Sequence, residues 1–351
     1  MSSKRIVVIG GGPAGMQAAL SLAAGGLKPV IVERAGELGG KLKEWHRLFP
    51  SMTEANEVLT RLTGEIAEAG VEVMLHTEVE GIALGEGGAH DGAPNGVVLA
   101  EGKKLPAGAV IVASGFDIFD ARQKEEYGYH VYDNVFTTVD IERMLNGDKV
   151  ALSDGTAPRR IAFVHCVGSR DEKVNQRHCS KVCCITAVKQ AMELRERFPE
   201  AEIYSFYMDI RMFGPGYEEL YQQAQQESHI NFIRGRVSEA SPTIDGRIQI
   251  KAEDTLVGRP LKMSVDMVVL AVGMKAAAGN EKLAASCDGL SLAPSGFLAP
   301  RDMFTGCVSS GAAGVFYAGT ATAPKTIGEC IAEGAMAAQR AAEYLKSGAK
   351  R

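Results

Sequence analysis

The 351-residue chain has no Cys-x-x-Cys pair, although it carries 7 cysteines. That removes the dithiol spacing on which many disulfide-exchanging oxidoreductases rely. Positive charge is not in excess either: 38 Lys and Arg stand against 43 Asp and Glu, and no basic cluster offsets the net charge of −5. A nucleic-acid surface is therefore not expected. One long and strongly apolar run lacks charge, IVVIGGGPAGMQAALSLAAGG at residues 6–26. Its length suits a membrane span or a secretory segment. Glycines and a proline interrupt it, however, and LKPVIVE, a second apolar stretch ending in an acid, follows at once. With no other stretch approaching a span, the expectation is a soluble, cytoplasmic protein with no direct membrane insertion. Cysteines in that compartment do not form a disulfide framework.

What is present begins with glycine, 40 residues of it. KRIVVIGGGPAGMQAALSLAAGG fits G-x-G-x-x-G at Gly10, Gly12 and Gly15, after an apolar strand and before a helix of small residues. In that setting the first glycine permits the tight turn, the second lets backbone approach a pyrophosphate, and the third lets the helix lie close on the strand. The candidate cradle runs from Gly10 to Gly15, with Pro13 and Ala14 opening the helix. Its exposed N–H groups and positive helix end face the phosphates. A second strand ends at Glu33-Arg34, eighteen residues past Gly15. An acid there accepts from ribose hydroxyls and disfavours a 2′-phosphate.

Three further segments choose among dinucleotides. ERAGELGGKL brings Gly40 and Lys41 shortly after Glu33. KLPAGAVIVASGFDIFD is an apolar strand ending in Ala113-Ser114-Gly115. GVFYAGTATAPKTIGECIAEGAMAAQRAAEYL is a strand, then Gly319, then a long helix from about Thr326. Together they resemble the two-dinucleotide-binding-domain flavoproteins of thioredoxin-reductase type. The resemblance implies an α/β fold, FAD as cofactor, and a discontinuous FAD domain interrupted by an NAD(P)-like domain. The expected division is 1–150, an insertion at 151–280, and a return at 281–351. It also implies that Gly319, Thr320, Lys325, Thr326 and Ile327 border the cofactor. Most of that family has Asp where this chain has Thr320, whose hydroxyl can donate to a phosphate without charge repulsion. A positive helix end near Thr326 would stabilise negative charge on a reduced flavin.

The inserted segment reads as strand, helix, strand, helix, strand, with a strand at Arg160–Cys166 and a helix at Cys179–Arg197. The turn after its first strand is HCVGSRDEKVN, with Gly168 alone. No second glycine fingerprint remains, so the nicotinamide site is expected to be lost. Four cysteines stand there instead, Cys166-x12-Cys179-x3-Cys183-Cys184. They could be small buried side chains. They could form a dithiol pair, although a bridge between Cys183 and Cys184 demands poor geometry in a helix. They could be four thiolates converging from a strand end and the first turns of the next helix, whose positive end favours thiolate. Zinc accepts such a set as well. Beside a flavin, an electron relay is the more useful occupant, which favours a [4Fe–4S] cluster. His165 and His178 flank two of the cysteines and are expected as neighbours rather than ligands, although either could substitute if one cysteine is free.

HCVGSRDEK, HCSKVCCITAVKQA, FYMDIRMFGPGYEELYQQA, INFIRGRVSE, EEYGYHVYDNVFTTVDIERML and AGTATAPKTI closely resemble the flavin-carrying A subunits of heterodisulfide reductases. The resemblance implies that Cys166, Cys179, Cys183 and Cys184 hold one [4Fe–4S] cluster near the FAD. It implies that Lys189, five residues beyond Cys184, influences the redox behaviour of the flavin. The implied partners are B- and C-like subunits, a lipoate-binding or sulfur-carrier protein, and a second copy of the chain. LKEWHRLFPSMTEANEVL carries no cysteine, whereas the large methanogen-type A subunits of the resembled family have extra cluster domains. The expectation is a compact form, as in the complex of sulfur oxidisers, holding one FAD and one cluster. Two other readings stand beside it: a free-standing NAD(P)H-dependent disulfide reductase, and a redox-silent scaffold holding FAD and zinc.

Overall fold

The computed structural model describes residues 5–85 and 94–348. The chain divides into two compact units, one of residues 1–43, 56–117 and 275–351, the other of residues 44–55 and 118–274. In the first unit, strands Arg5–Ile9, Lys28–Val32, Glu72–Met74, Ala109–Val112 and Val315–Tyr317 form one parallel sheet. Arg5–Ile9 is its centre, with Lys28–Val32 then Glu72–Met74 on one side and Ala109–Val112 then Val315–Tyr317 on the other. RIVVI, AVIV and VFY are buried almost throughout. Continuous apolar runs of that kind belong to parallel sheets covered on both faces. Helix Pro13–Ala24 follows the first strand and meets the closing helix, Ile327–Gly348, across an unusually tight crossing. A Cβ on Gly334 would stand 2.3 Å from the Ala14 carbonyl oxygen, so only glycine allows that approach.

The second unit repeats the plan. Its parallel sheet runs Val135–Thr137, Met267–Val272, Arg160–Val167, Glu202–Tyr207, Asn231–Arg234. Helices Thr138–Asn146, Cys183–Arg197 and Tyr217–Gln226 connect its strands. Residues 118–150, expected with the N-terminal part, cluster here because Val135–Thr137 pairs with Met267–Val272 and because Phe119 and Tyr127 enter this unit's core. Residues 44–55 also join it. The His46 N–H donates to Glu142 at 2.7 Å, and the Phe49 ring stands edge-on to Tyr217 at 5.6 Å.

One helix starts later than expected. Cys183 and Cys184 are its first two residues, whereas Cys179 lies in the irregular segment before it. Lys181 takes a left-handed backbone (φ 62), which a right-handed helix cannot contain. Among the described residues, four of the ten non-glycine residues with positive φ fall between Cys166 and Lys181, both included. Strain concentrated in one turn marks a segment whose shape is imposed by its surroundings.

Candidate functional site

The glycine loop of the first unit is built as a cradle. A Cβ on Gly10 would stand 2.3 Å from the Ala113 carbonyl oxygen, and one on Gly15 would stand 1.9 Å from that of Gly10. Both glycines are required by the protein's own packing. Gly12 is different: a Cβ there meets nothing within 4 Å, and the same holds for Gly115. The space above these two positions is open at the N-terminus of helix Pro13–Ala24, where a phosphate is favoured. Glu33 is buried and spans the loop, accepting from the Gly11 N–H at 2.6 Å and the Ala35 N–H at 2.8 Å. Each of its oxygens keeps a second lone pair for a ribose hydroxyl. Arg34 beside it is exposed.

The other expected segments gather on this loop. The Gly39 N–H donates to the Gly11 carbonyl at 2.8 Å, and a Cβ on Gly40 would lie 3.2 Å from the Gly12 Cα. Lys41 places its ammonium 5.5 Å from the centre of the Phe116 ring, next to Gly115. Gly319 packs on Ala14, where a Cβ would come within 2.7 Å of the Ala14 Cβ. Thr320 is buried beside it, and Lys325 donates to the Gly319 carbonyl at 3.0 Å. Thr326 caps the closing helix in a reciprocal box, donating its N–H to Glu329 at 2.9 Å and accepting the Glu329 N–H at 3.2 Å. Ile327 is the helix's first residue. The open glycines, buried acid and helix end fit the adenosine and pyrophosphate of a dinucleotide.

Two residues that sequence reasoning missed complete the frame. Asn280, fully buried, accepts from the Ser114 hydroxyl at 2.8 Å and donates to the Ala321 carbonyl at 3.5 Å, tying Ala113–Gly115 to Gly319–Ala321. Glu333 accepts from the Gly319 N–H at 3.1 Å and lies 3.3 Å from Lys325. Burial pushes its carboxyl above the usual range. The Asn280 partnerships join residues far apart in sequence, so no local pattern announces them.

In the second unit the turn after strand Arg160–Val167 is filled rather than open. A Cβ on Gly168 would collide with the Phe119 ring at 2.0 Å. Ser169 donates to the His178 carbonyl at 3.1 Å and accepts from the Ser180 N–H at 2.9 Å. Ser180 in turn accepts from the Met274 N–H at 2.8 Å, and His178 Nε2 lies 2.8 Å from the Met274 carbonyl oxygen. Buried Lys124 holds the turn from outside, 2.6 Å from Asp171. This lock carries the cysteines.

Three of the four thiols touch. Cys183 shares hydrogen bonds with Cys166 and Cys184 and lies between them. Interaction with these two sulfurs, together with burial, pushes it well above the ordinary thiol range. Its donation pulls Cys184 down to about 4 against the opposing effect of burial, helped by His165 and the Arg211 N–H. The same donor lowers Cys166 to about 7, again against burial, with His165 and Arg170 assisting. Cys179 is half-buried, and its sulfur accepts from the Lys181 N–H at 3.3 Å. Among the described residues, no three His, Cys, Asp or Glu side chains close on a single-ion position. Buried sulfurs that lean towards thiolate, as those of Cys166 and Cys184 do, are donors of the kind that iron–sulfur clusters use.

Lys189 lies one turn further along the same helix and is 1% exposed. Its ammonium is 2.6 Å from Glu142 and 2.9 Å from Glu193, both buried. Glu142 also accepts from Gln190 at 2.7 Å, and Glu193 lies 2.8 Å from His46 Nδ1. The sequence named Lys189 but not this cage.

The sequence pattern of the pyridine nucleotide-disulphide oxidoreductase family matches residues 4–164. The iron-sulfur A subunit of the CoB–CoM heterodisulfide reductase of Methanocaldococcus jannaschii is 33% identical over 94% of this chain. The A subunit of the H(2):CoB-CoM heterodisulfide,ferredoxin reductase of Methanothermobacter thermautotrophicus is 31% identical over 98% of it. Over most of its length the chain is thus similar to heterodisulfide reductase A subunits. It spans 62% and 64% of the length of those two relatives, respectively. Among solved structures, thioredoxin reductase from Lactococcus lactis covers 98% of the chain with a TM-score of 0.68 at 19% identity, and 99% of that protein is covered in return. Thioredoxin reductase from T. acidophilum gives 0.66 at 17% over 98% of this chain and 99% of its own. The chain therefore carries the thioredoxin-reductase fold.

Proposed function

We propose that this chain is the FAD- and [4Fe–4S]-carrying electron-transfer component of a heterodisulfide-reductase-like complex. The observation that carries the reading is the turn after strand Arg160–Val167. Phe119 and a serine lock fill it where a second nucleotide would enter, and clustered thiols stand in its place. When bound, FAD supplies the exchange between two-electron and one-electron transfer, and the cluster supplies the one-electron relay.

The chain's own residues have defined tasks in this reading. Gly12 and Gly115 leave room for the cofactor backbone, the N-terminus of helix Pro13–Ala24 receives the pyrophosphate, and Glu33 receives the ribose. Cys166, Cys179, Cys183 and Cys184 would hold the cluster. Lys189 would take the family's flavin-influencing role, its charge fixed in place by Glu142 and Glu193. The relatives are named as reductase subunits, which supports partner subunits of B- and C-like type. The substrate side then lies in thiol, disulfide or sulfur metabolism, with a lipoate-binding or sulfur-carrier protein as a further partner. Two copies of the chain would form a homodimer. Among the described residues no helix is long and apolar enough to cross a membrane, in keeping with a cytoplasmic component.

Anaerobic purification tests the reading directly. Iron, sulfide and flavin are expected in the proportions of one [4Fe–4S] cluster per FAD, with a cluster EPR signal after dithionite. An anaerobically reconstituted sample without iron would overturn the cluster. Rapid bleaching of the flavin on mixing with NADH would overturn the loss of the nicotinamide site and favour the free-standing reductase.

A further inference from the structure

His165 is buried, 6% exposed, on strand Arg160–Val167. Its Nε2 lies 2.8 Å from the Ser205 hydroxyl on the neighbouring strand Glu202–Tyr207. Its Nδ1 is buried and has no hydrogen-bond partner of ordinary geometry in the protein. A buried ring nitrogen left in that state is costly unless it serves a group the site receives.

The strand is distorted in a way that bears on this nitrogen. Successive strand residues point to opposite faces, so His165 and Cys166 should not serve one site. The register against Met267–Val272 shifts between Val164 and Val167, and Cys166 takes a left-handed backbone at φ 60. The bulge suspends the alternation. Cys166 consequently reaches the Cys183 thiol, while the His165 ring comes within interaction reach of the Cys184 sulfur. Bulges beside functional sites commonly re-aim a side chain.

We propose that His165 is a positioning residue for the sulfur site, donating its Nδ1–H to the Cys184 sulfur or to the cluster that sulfur holds. The Ser205 hydroxyl sets this up by donating to Nε2, which leaves the ring proton on Nδ1. The inference rests on the cluster reading above. On one-electron reduction the cluster gains negative charge, and an N–H donor stabilises the more negative state. Removing the donor makes the cluster harder to reduce.

The test uses the anaerobically purified full-length protein and its variants His165→Leu, His165→Gln and Ser205→Ala. Iron and sulfide are assayed first, then the midpoint potential is measured by dye-mediated titration with dithionite, read by EPR. In His165→Leu, the ratio of reduced to oxidised cluster at a fixed potential is expected to fall by about tenfold, ~59 mV for a one-electron couple. His165→Gln, which keeps an N–H donor, should restore much of that ratio. Ser205→Ala leaves the ring but frees its tautomer, and should move the ratio part of the way. An unchanged potential in both His165→Leu and Ser205→Ala, with iron at the wild-type level, overturns the inference and leaves the cluster reading intact. Loss of iron in both His165→Leu and His165→Gln, but not in Ser205→Ala, overturns it as well, because His165 would then be a ligand. Absence of iron from the wild-type protein removes the cluster reading, and this inference with it.

Discussion

Replacing Lys189 by methionine gives the sharpest test of the second unit's interior. The ammonium sits between Glu142 and Glu193 at 2.6 and 2.9 Å, with all three side chains about 2% exposed. Methionine fills a similar volume but leaves two carboxylates facing each other without a cation. His46, 2.8 Å from Glu193, cannot replace it, because it touches only one of the pair by its side chain. Breaking a buried ion pair by removing one member costs about 3–5 kcal/mol. A cooperative unit of this size shifts its melting point by roughly 2–4 °C per kcal/mol, so a fall of about 6–20 °C is expected. Differential scanning calorimetry at pH 7 measures it. The deficit should shrink as pH falls, because protonating the carboxylates removes the repulsion. The triple variant Lys189→Met, Glu142→Gln, Glu193→Gln should recover most of the loss, since neutral groups of like volume replace the whole charged set. A Lys189→Met protein melting within about 1 °C of wild type would refute the reasoning, which predicts a shift several times larger.

Two further outcomes follow from the same structure. Gly15→Ala should yield little folded protein, because its Cβ would stand 1.9 Å from the Gly10 carbonyl oxygen, whereas Gly12→Ala should melt like the wild-type apoprotein yet lose flavin absorbance after reconstitution. Equal flavin content in Gly12→Ala and wild type would show that the open space is not the cofactor's. Burial raises the Glu193 carboxyl above the usual glutamate range. The folded state therefore binds this proton more tightly than the unfolded chain does. The stabilisation is complete below the unfolded value of roughly 4.3 and is lost as pH rises through the raised folded value. Glu193→Gln lacks this loss, so its melting point relative to wild type should improve as pH rises above the unfolded value of roughly 4.3. Parallel curves above that value would contradict the assignment.

The first unit was largely legible because its signals are local. Gly10, Gly12 and Gly15 sit in one turn, and strand ends such as Val32-Glu33 and Val112-Ala113 announce themselves by a change in polarity. The thioredoxin-reductase fold followed from those segments taken in order. Cys179 was misplaced onto a helix because Lys181 adopts a left-handed backbone, which no feature of SKVCC signals. The burial of Lys189 was equally hidden, since lysine is ordinarily exposed and its partner Glu142 is 47 positions away. Phe119 closing the Gly168 turn joins residues 49 apart, and Asn280 joins segments separated by more than 160. The boundary near residue 118 depends on strand Val135–Thr137 choosing Met267–Val272 as its neighbour, a pairing fixed only by the completed sheet.

The position of strand Val315–Tyr317 has a consequence for how the polypeptide is made. Its neighbour Ala109–Val112 emerges from the ribosome about two hundred residues earlier, with one edge able to join Arg5–Ile9 and the other bare. An uncovered apolar strand edge is a template for intermolecular pairing. During that interval the contiguous stretch 118–274 has all it needs for its own sheet, while the N-terminal sheet waits for its last member. Nascent chains arrested before residue 315 should therefore present AVIV to chaperones, and the vulnerability ends only when VFY slides in beside it.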